Sequence, residues 1–192
     1  MPKTSTPSLK IERAQMGPPD LLRPTSIFDL LNFRIAEFYG LSGSLVTRMC
    51  EGSYGITREA WQFIAMLAAL GPMSPSDLAA KTTVDRSQAS KTLRGLSVKK
   101  LIYRRAVLGD GRRATIGLTA SGQALYEKIF PRVVEVHHSV LTELSRHEKK
   151  VLSNCLLKIQ RGAALATAMG LVDGHADRRH GGSRASWSTS AF

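Results

Sequence analysis

The sequence has few of the features that mark secreted, membrane or disulfide-stabilised proteins. Its 192 residues include only two cysteines, Cys50 and Cys155, too few for the disulfide framework of a small secreted domain. No apolar run approaches the roughly 18 residues that a membrane helix needs. The N-terminal segment also lacks the apolar core of a secretory signal. These absences predict a cytoplasmic protein.

Motifs of catalysis and metal binding are also missing. The chain has no glycine-rich phosphate loop, no nucleophile elbow and no His-Glu-x-x-His helix. Its histidines lack the spacing to carboxylates or thiols that metal ligands show. We therefore predict that the chain is not an enzyme and that it has no catalytic residues, no metal site and no cofactor.

Acidic residues are scarce relative to basic ones. The chain has 27 Lys and Arg against 15 Asp and Glu, a formal net charge of +12. Such an excess favours an anionic partner, most often nucleic acid. A basic protein with a basic tail would carry the same total, so the position of the charges must separate the two interpretations.

Composition divides the chain into three parts. Residues 1–24 are rich in Pro, Ser, Thr and Lys and predict a flexible arm, whereas residues 170–192 carry Gly, Ser, Arg and His and predict a disordered basic tail. Between them, residues 25–169 predict one mainly helical domain, because apolar residues recur there at helical spacing. Its first helix is expected to start at Ser26, with Asp29 as capping-box partner.

A helix-turn-helix is predicted in the middle of this domain. Ser74 is a good cap for a short helix that ends near Lys81, and Asp85 caps a second helix after a three-residue break. Gln88 completes a capping box there. Gly95 lies inside the second helix, where glycine costs about 1 kcal/mol relative to alanine, and indicates a close packing contact or a slight bend. The residues of this helix expected to face inward are Ala89, Leu93, Leu96 and Val98.

A basic β-hairpin is predicted directly after the second helix. Strand-like runs at 101–107 and 114–118 flank a Gly-Asp-Gly turn centred on Asp110. Every charged residue from Arg86 to Arg113 is basic except Asp110. Charge of one sign on a helix-turn-helix and on the wing that follows it predicts binding to double-stranded DNA.

The second helix is expected to contact base edges with the exposed residues of its first turns. Arg and Lys pair with guanine, Gln with adenine, and Ser with either. The residues predicted to make these contacts are Arg86, Ser87, Gln88, Ser90 and Lys91. Thr92 and Arg94 are expected to meet phosphate, and the amides at the helix start offer a further phosphate contact.

The wing tip carries three charged residues with different expected roles. Asp110 can hold Arg112 extended by a charge-assisted hydrogen bond. An arginine held in this way can enter a minor groove, where narrow A·T tracts concentrate negative potential. Arg113 points to the other face of the ribbon and is expected to touch phosphate.

Two stretches match the pattern of a known family. The first, SPSDLAAKTTVDRSQASKTLRGLSVKKL, spans residues 74–101, and the second, GDGRRATIGLTASG, spans residues 109–122. The matching features of the second are an Asp-x-Arg wing signature at Asp110 and Arg112, a Leu-Thr helix start at Leu118 and Thr119, and Gly122. With these features the chain resembles the MarR family of bacterial transcription regulators.

The resemblance implies a mainly α-helical homodimer with a small β-wing. The first and last two helices would form a dimerisation lobe, and each subunit would present one winged helix-turn-helix lobe. Local gene control is implied as well, usually repression that a small ligand relieves. The residues alone also predict a dimer, because the apolar stripes of the terminal helices are too wide for one small domain to bury. Two recognition helices roughly 34–36 Å apart would match a palindromic operator.

The resemblance further implies an effector site. The family's effectors are often aromatic carboxylates or phenols, bound in a crevice between the dimerisation helices and the DNA-binding lobe. An Arg or His would pair with the carboxylate, and aromatic rings would stack on the ligand. The candidate lining residues are Arg34, Phe38, Tyr39, Trp61, Phe63, His137 and His138. The alternative is that the aromatic residues belong to the core and that the polar ones are solvated.

Two other kinds of regulator fit the same sequence. One is a winged-helix protein that binds DNA without an effector, as an architectural or constitutive binder. The other is an oxidant-sensing repressor that uses Cys50, which lies at the end of the first helix near Arg48. A reactive thiol needs exposure and a lowered pKa. Cys155 occupies an apolar helix position and is predicted to lie in the core.

Overall fold

The computed structural model describes residues 18–82, 84–107 and 110–171, with the backbone alone at 107 and 110–113. Contacts group these residues into two compact units, one up to Ser44 and one from Leu45 onward. Most of the predicted arm and almost all of the predicted tail lie outside the described residues, so both stay predictions.

The first unit opens with a capped turn. Ser26 and Asp29 form the predicted capping box around a single 3-10 turn, Ile27–Asp29. The Asp29 carboxylate also accepts hydrogen bonds from the amides of Thr25 and Asp20, both at 3.1 Å. These bonds, the one from Thr25 most of all, lower the pKa of Asp29 to about 2. One carboxylate therefore fixes the path of the chain into the first helix.

Two helices follow the turn. Helix α1 covers Leu31–Tyr54 and stops at Gly55, whose φ is 61°. Helix α2 covers Arg58–Leu70, is capped by Thr57, and stops at Gly71 with φ 78°. Both stops use a left-handed backbone conformation that glycine adopts without steric cost.

The predicted helix-turn-helix is confirmed. Helix α3 covers Pro75–Lys81 and helix α4 covers Arg86–Val98. Ser74 Oγ accepts a hydrogen bond from the third amide of α3, and the Asp85 carboxylate accepts from two amides of the first turn of α4. Short polar side chains at both starts satisfy amides that have no partner within the helix.

The predicted hairpin is also present, with a shifted turn. Strand β1 covers Ile102–Val107 and pairs antiparallel with β2, Asp110–Leu118. Val107 pairs with Asp110, so the connection lies at residues 108–109, which are outside the described residues. The expected turn centred on Asp110 was therefore wrong by about two residues, and β2 starts earlier than the apolar alternation indicated.

Two long helices complete the described part of the chain. Helix α5 covers Ala120–Val140 after its cap Thr119, and helix α6 covers Arg146–Ala168. Ser145 and Glu148 form a capping box at the start of α6, and the Ser145 hydrogen bonds lower the pKa of Glu148. The resulting fold is mainly helical with one two-stranded wing, as predicted.

The core of the second unit lies where α2, α3, α4, the wing and α5 meet. The large side chains that are fully buried there are Phe63, Ile64, Leu78, Leu96 and Ile129. Met73 extends the wing by a backbone bridge to Ile116, with N–O distances of 2.8 and 3.0 Å. The core therefore fixes α4 and the wing to one another.

Two expectations about α4 were wrong, and so was one of the two alternatives given for Gly95. Val98 does not face inward, because 78% of its surface is exposed. Thr92 is buried and cannot meet phosphate from its position in the core. Gly95 makes no close packing contact, since a Cβ atom there would meet nothing within 4 Å.

Candidate nucleic-acid interface

One side of α4 is exposed and basic. An α-helix turns by about 100° per residue, so the residues opposite the buried Ala89 and Leu96 form a single strip. This strip, called the basic helix face below, consists of the exposed residues Arg86, Ser87, Ser90, Lys91 and Arg94. It carries three cationic side chains and no acidic one. Gln88, at its edge, is half-buried.

The first turn of α4 is held by its own cap. Asp85 Oδ1 accepts hydrogen bonds from the amides of Ser87 at 2.8 Å and Gln88 at 3.1 Å, and from the Ser87 hydroxyl at 2.7 Å. A phosphate at this helix start would have to compete with the carboxylate for those amides. The Ser87 oxygen keeps its acceptor capacity, so its predicted base contact would be one in which the base donates.

A groove of about 910 Å³ runs beside the basic helix face, between α3, α4 and the wing. Its lining includes the buried apolar residues Ala79, Ala89, Ile102 and Ile116. Three exposed arginines line it as well, Arg86, Arg94 and Arg104. The groove therefore combines an apolar floor with edges that carry three arginines, from the helix and the wing, and one acidic residue, Asp77 of α3.

Arg104 was not among the predicted contact residues. It pairs with Ile116 in the hairpin register and shares a face of β1 with the buried Ile102. The alternation of side chains along a strand could have indicated this position. A charged residue two positions after a core isoleucine lies on the same face of the strand and is expected at the edge of the core. The wing thus places one arginine beside the two on the helix.

The opposite face of the wing has a different construction. Tyr103 pairs with Gly117 and its ring lies against that glycine, where a Cβ atom would collide with the ring. The Arg105 guanidinium lies 5.7 Å from the centre of the same ring, within cation–π range. At the wing tip, Asp110, Arg112 and Arg113 belong to β2 by backbone, but their side chains lie outside the described residues.

Comparison with known proteins agrees with this geometry. A family model described as MarR family matches residues 54–113, which span α2 to the wing tip. The transcriptional regulator FarR of Neisseria gonorrhoeae is 29% identical over 106 residues, 55% of this chain and 73% of the relative. The homoprotocatechuate degradative operon repressor of Escherichia coli is 24% identical over 103 residues, 54% of this chain and 70% of that protein.

A solved complex with DNA is also similar to the chain. The MepR–DNA complex of Staphylococcus aureus is 26% identical, covers 69% of this chain and 98% of its own, and superposes with a TM-score of 0.62. From α2 to the wing tip, this chain is similar to the MarR family. It is a DNA-binding transcription regulator with a winged helix-turn-helix, and the members of the family are regulators rather than enzymes.

The predicted effector residues of this chain are found in different surroundings. Trp61 is buried and Phe63 is fully buried, so Phe63 has no surface to offer a ligand unless the core opens. Arg34 forms an ion pair with Glu37 at 3.1 Å. Phe38 and Tyr39 are both about half exposed. His137 and His138 are exposed, with ring centres 5.6 Å apart in an edge-to-face arrangement.

Two aromatic residues of α5 were missed at the sequence level. Tyr126 stacks on Trp61 with ring centres 5.7 Å apart, and Phe130 stacks on Tyr126 at 5.2 Å. Phe130 is 46% exposed, so the stack leads from the core to the surface. The four-residue spacing of Tyr126 and Phe130 places them on one face of a helix and could have indicated the pair.

The two cysteines differ from expectation. Cys50 is fully buried, and desolvation, together with the charge of Glu51, raises the pKa of its thiol to about 11. An oxidant sensor needs the opposite, an accessible thiol with a lowered pKa. Cys155 is exposed in the single chain, so its predicted core position was wrong. Its apolar neighbours on α6 mark a helix face that the chain itself leaves open.

No three His, Cys, Asp or Glu side chains of the described residues come together in a way that could hold a metal ion. None of the helices in the described part of the chain has the length and apolarity to cross a membrane.

Proposed function

We propose that the chain is a homodimeric, cytoplasmic repressor that binds a palindromic operator and is released by a small aromatic carboxylate or phenol. The observation that carries the proposal is the basic helix face, which is capped, free of acidic residues and flanked by a wing arginine. A helix of this kind is the element that enters the major groove in winged helix-turn-helix proteins.

The charges favour a DNA contact over a solvated surface. The groove beside the basic helix face is bordered by Arg86, Arg94 and Arg104, which come from two separate elements. Bringing like charges together costs electrostatic energy, which a polyanion would offset. Arg112 and Arg113 would extend the same contact from the wing tip.

The homodimer is supported by α6. None of its residues is buried within the chain. Its exposed large apolar residues are Val151, Leu152, Leu156, Leu157, Ile159 and Leu165. An amphipathic helix gains most of its stability by packing its apolar face against a partner surface, and a second copy of α6 would supply one with the same chemistry. A two-fold dimer presents two recognition helices to a palindrome.

Repression and release by an aromatic acid are supported by two observations. One relative is named as the repressor of an operon that degrades homoprotocatechuate, a phenolic aromatic acid. In this chain, the stack from Trp61 through Tyr126 to Phe130 ends at the surface and offers a ring to an aromatic ligand. Exposed His137 and His138 further along α5 could pair with its carboxylate.

The test is a fluorescence anisotropy titration of labelled DNA from upstream of the protein's own gene, with scrambled DNA as the control. Each aromatic acid of a panel is then added to the preformed complex. The proposal expects binding to the native sequence that one acid reverses, and weak, strongly salt-dependent binding to the scrambled sequence. Native binding that no acid reverses would support a constitutive winged-helix binder instead. Equal binding to both sequences would contradict the operator claim.

A further inference from the structure

The residue that follows α4 and its C-cap has an unusual backbone. Among the described residues, Lys100 is alone in adopting a positive φ, 56°, without being glycine. A left-handed conformation brings Cβ close to the following carbonyl, which disfavours residues with a side chain, apart from Asn and Asp, which adopt it more readily. Helices often end in this conformation, and glycine is the usual residue there.

Hydrogen bonds show why the backbone must turn at this point. The Leu101 amide donates to the Leu96 carbonyl at 3.0 Å, and the Lys100 amide donates to the Ser97 carbonyl at 2.9 Å. This pair of bonds is the Schellman cap. Leu96 and Leu101, which such a cap brings together, are both buried. Together these contacts stabilise the left-handed conformation at position 100.

The start of α5 holds the same turn from the other side. Thr119 Oγ1 donates to the Lys100 carbonyl at 2.8 Å, and the Thr119 amide donates to the Leu101 carbonyl at 3.1 Å. Gly122 lies directly against the Leu101 carbonyl and leaves no room for a Cβ atom. The fold therefore requires a left-handed backbone at position 100, but none of these contacts requires a lysine side chain.

The Lys100 side chain itself is unused within the described part of the chain. It is exposed, and none of the ion pairs found among those residues includes it. Lys99 already supplies a cation at the negative end of α4, with an ordinary φ of −76°. Lys100 lies in the chain between the C-cap of α4 and the start of β1, so it adjoins both elements that carry the proposed DNA contact.

We propose that Lys100 contacts a backbone phosphate of the operator, and that its charge is kept at a position where glycine would make the protein more stable. The inference rests on the proposed DNA contact of α4 and adds a residue to it. Strain of this kind persists at functional sites because the surrounding contacts over-determine the conformation. A phosphate contact would be independent of base sequence and would position the helix rather than read the bases.

The test combines thermal unfolding with DNA titrations over a range of salt concentrations, for Lys100→Gly, Lys100→Asn and Lys100→Arg. Glycine and asparagine both accept a left-handed backbone, so each is expected to raise Tm, glycine by about 2–4 °C. Both remove the charge. Affinity for operator is expected to fall about fivefold per lost contact at 0.15 M salt, and the slope of log K against log salt to fall by about 0.9 per contact. Lys100→Arg keeps the charge, so its operator affinity and the salt dependence of its binding should match those of the wild type, without a gain in Tm.

The outcomes separate this inference from the function on which it rests. Unchanged affinity and slope in Lys100→Gly and Lys100→Asn would overturn the phosphate contact. A lower Tm in both variants would contradict the claim that lysine at position 100 makes the protein less stable than glycine would. Lys91→Ala, on the basic helix face, serves as the reference. If Lys91→Ala weakens binding and Lys100→Gly does not, only the Lys100 inference fails, whereas no effect of either substitution would also contradict the DNA contact of α4.

Discussion

Helices α4 and α6 have similar amphipathic sequences but opposite surroundings. α4 buries Ala89 and Leu96 against the rest of its own unit and exposes its charged side. α6 buries no residue and leaves Leu156 at 44% exposure and Leu152 at 39%. The difference indicates that α4 packs against other elements within the described part of the chain, whereas α6 keeps apolar side chains that the described residues leave exposed.

The largest expected effect comes from breaking the proposed partner surface of α6. Leu156→Asp would place a charge in an apolar interface, which costs several kcal/mol unless the charge is paired. We expect a monomer by analytical ultracentrifugation. Operator affinity should fall about 100-fold or more, because two half-sites would no longer bind as a unit. Leu156→Met keeps an apolar side chain of similar volume and should leave the dimer intact. A Leu156→Asp protein that stays dimeric would contradict the assignment of α6.

A smaller effect is expected at the wing tip. Arg112→Ala removes a cation that Asp110 is predicted to orient, and operator affinity should fall by about 1–3 kcal/mol. The Tm should change little, because the substitution is far from the core residues. Asp110→Asn keeps the arginine but weakens its orientation, so it should have part of the same effect. Unchanged affinity of Arg112→Ala at moderate salt would remove the wing tip from the interface.

Gln88 tests whether α4 selects bases. Gln88→Ala should lower the preference for one base pair by about 1–3 kcal/mol and leave binding to other sequences nearly unchanged. A set of operator variants, each changed at one position, measures this directly. A uniform loss over all variants would instead assign Gln88 to the phosphate backbone. Ser90→Ala is the matched comparison, because Ser90 is fully on the basic helix face and Gln88 only at its edge.

The smallest effect is expected at Gly95. This position is exposed, lies inside α4 and has open space around it, so Gly95→Ala should stabilise the protein by about 0.5–1 kcal/mol. Gly122→Ala is the control of opposite sign, because its Cβ would collide with the Leu101 carbonyl. Chemical denaturation measures both changes. If Gly122→Ala stabilised the protein, the close contact between Gly122 and the Leu101 carbonyl would not be a constraint on the turn after α4.

Local chemistry explains why several elements could be predicted from sequence. The caps at Ser74, Asp85, Thr119 and Ser145 act on amides two or three residues away, so their information lies within a short window. The family resemblance correctly indicated the order of helices and the wing. The side chains of Asp110 and Arg112, on which its most specific motif rests, remain predictions.

Tertiary context explains the errors. The sequence analysis placed Thr92 on the exposed side of α4 and Val98 on its inward side, but the packing of α4 buries Thr92 and leaves Val98 exposed. Cys155 lies among apolar residues of α6, as expected. The error was the assumption that the same chain would bury it. The left-handed turn at Lys100 could not be predicted, because lysine gives no signal for it.

The measurement that most directly tests the central claim is operator binding by Arg94→Ala and by the wild-type protein, on native and scrambled DNA at matched salt concentrations. Arg94 lies on the basic helix face and borders the groove shared with the wing. The account predicts tight, sequence-specific binding by the wild type, and a clear loss with a smaller salt dependence in the variant. Equal binding by the two proteins, or wild-type binding that does not distinguish native from scrambled DNA, would contradict it.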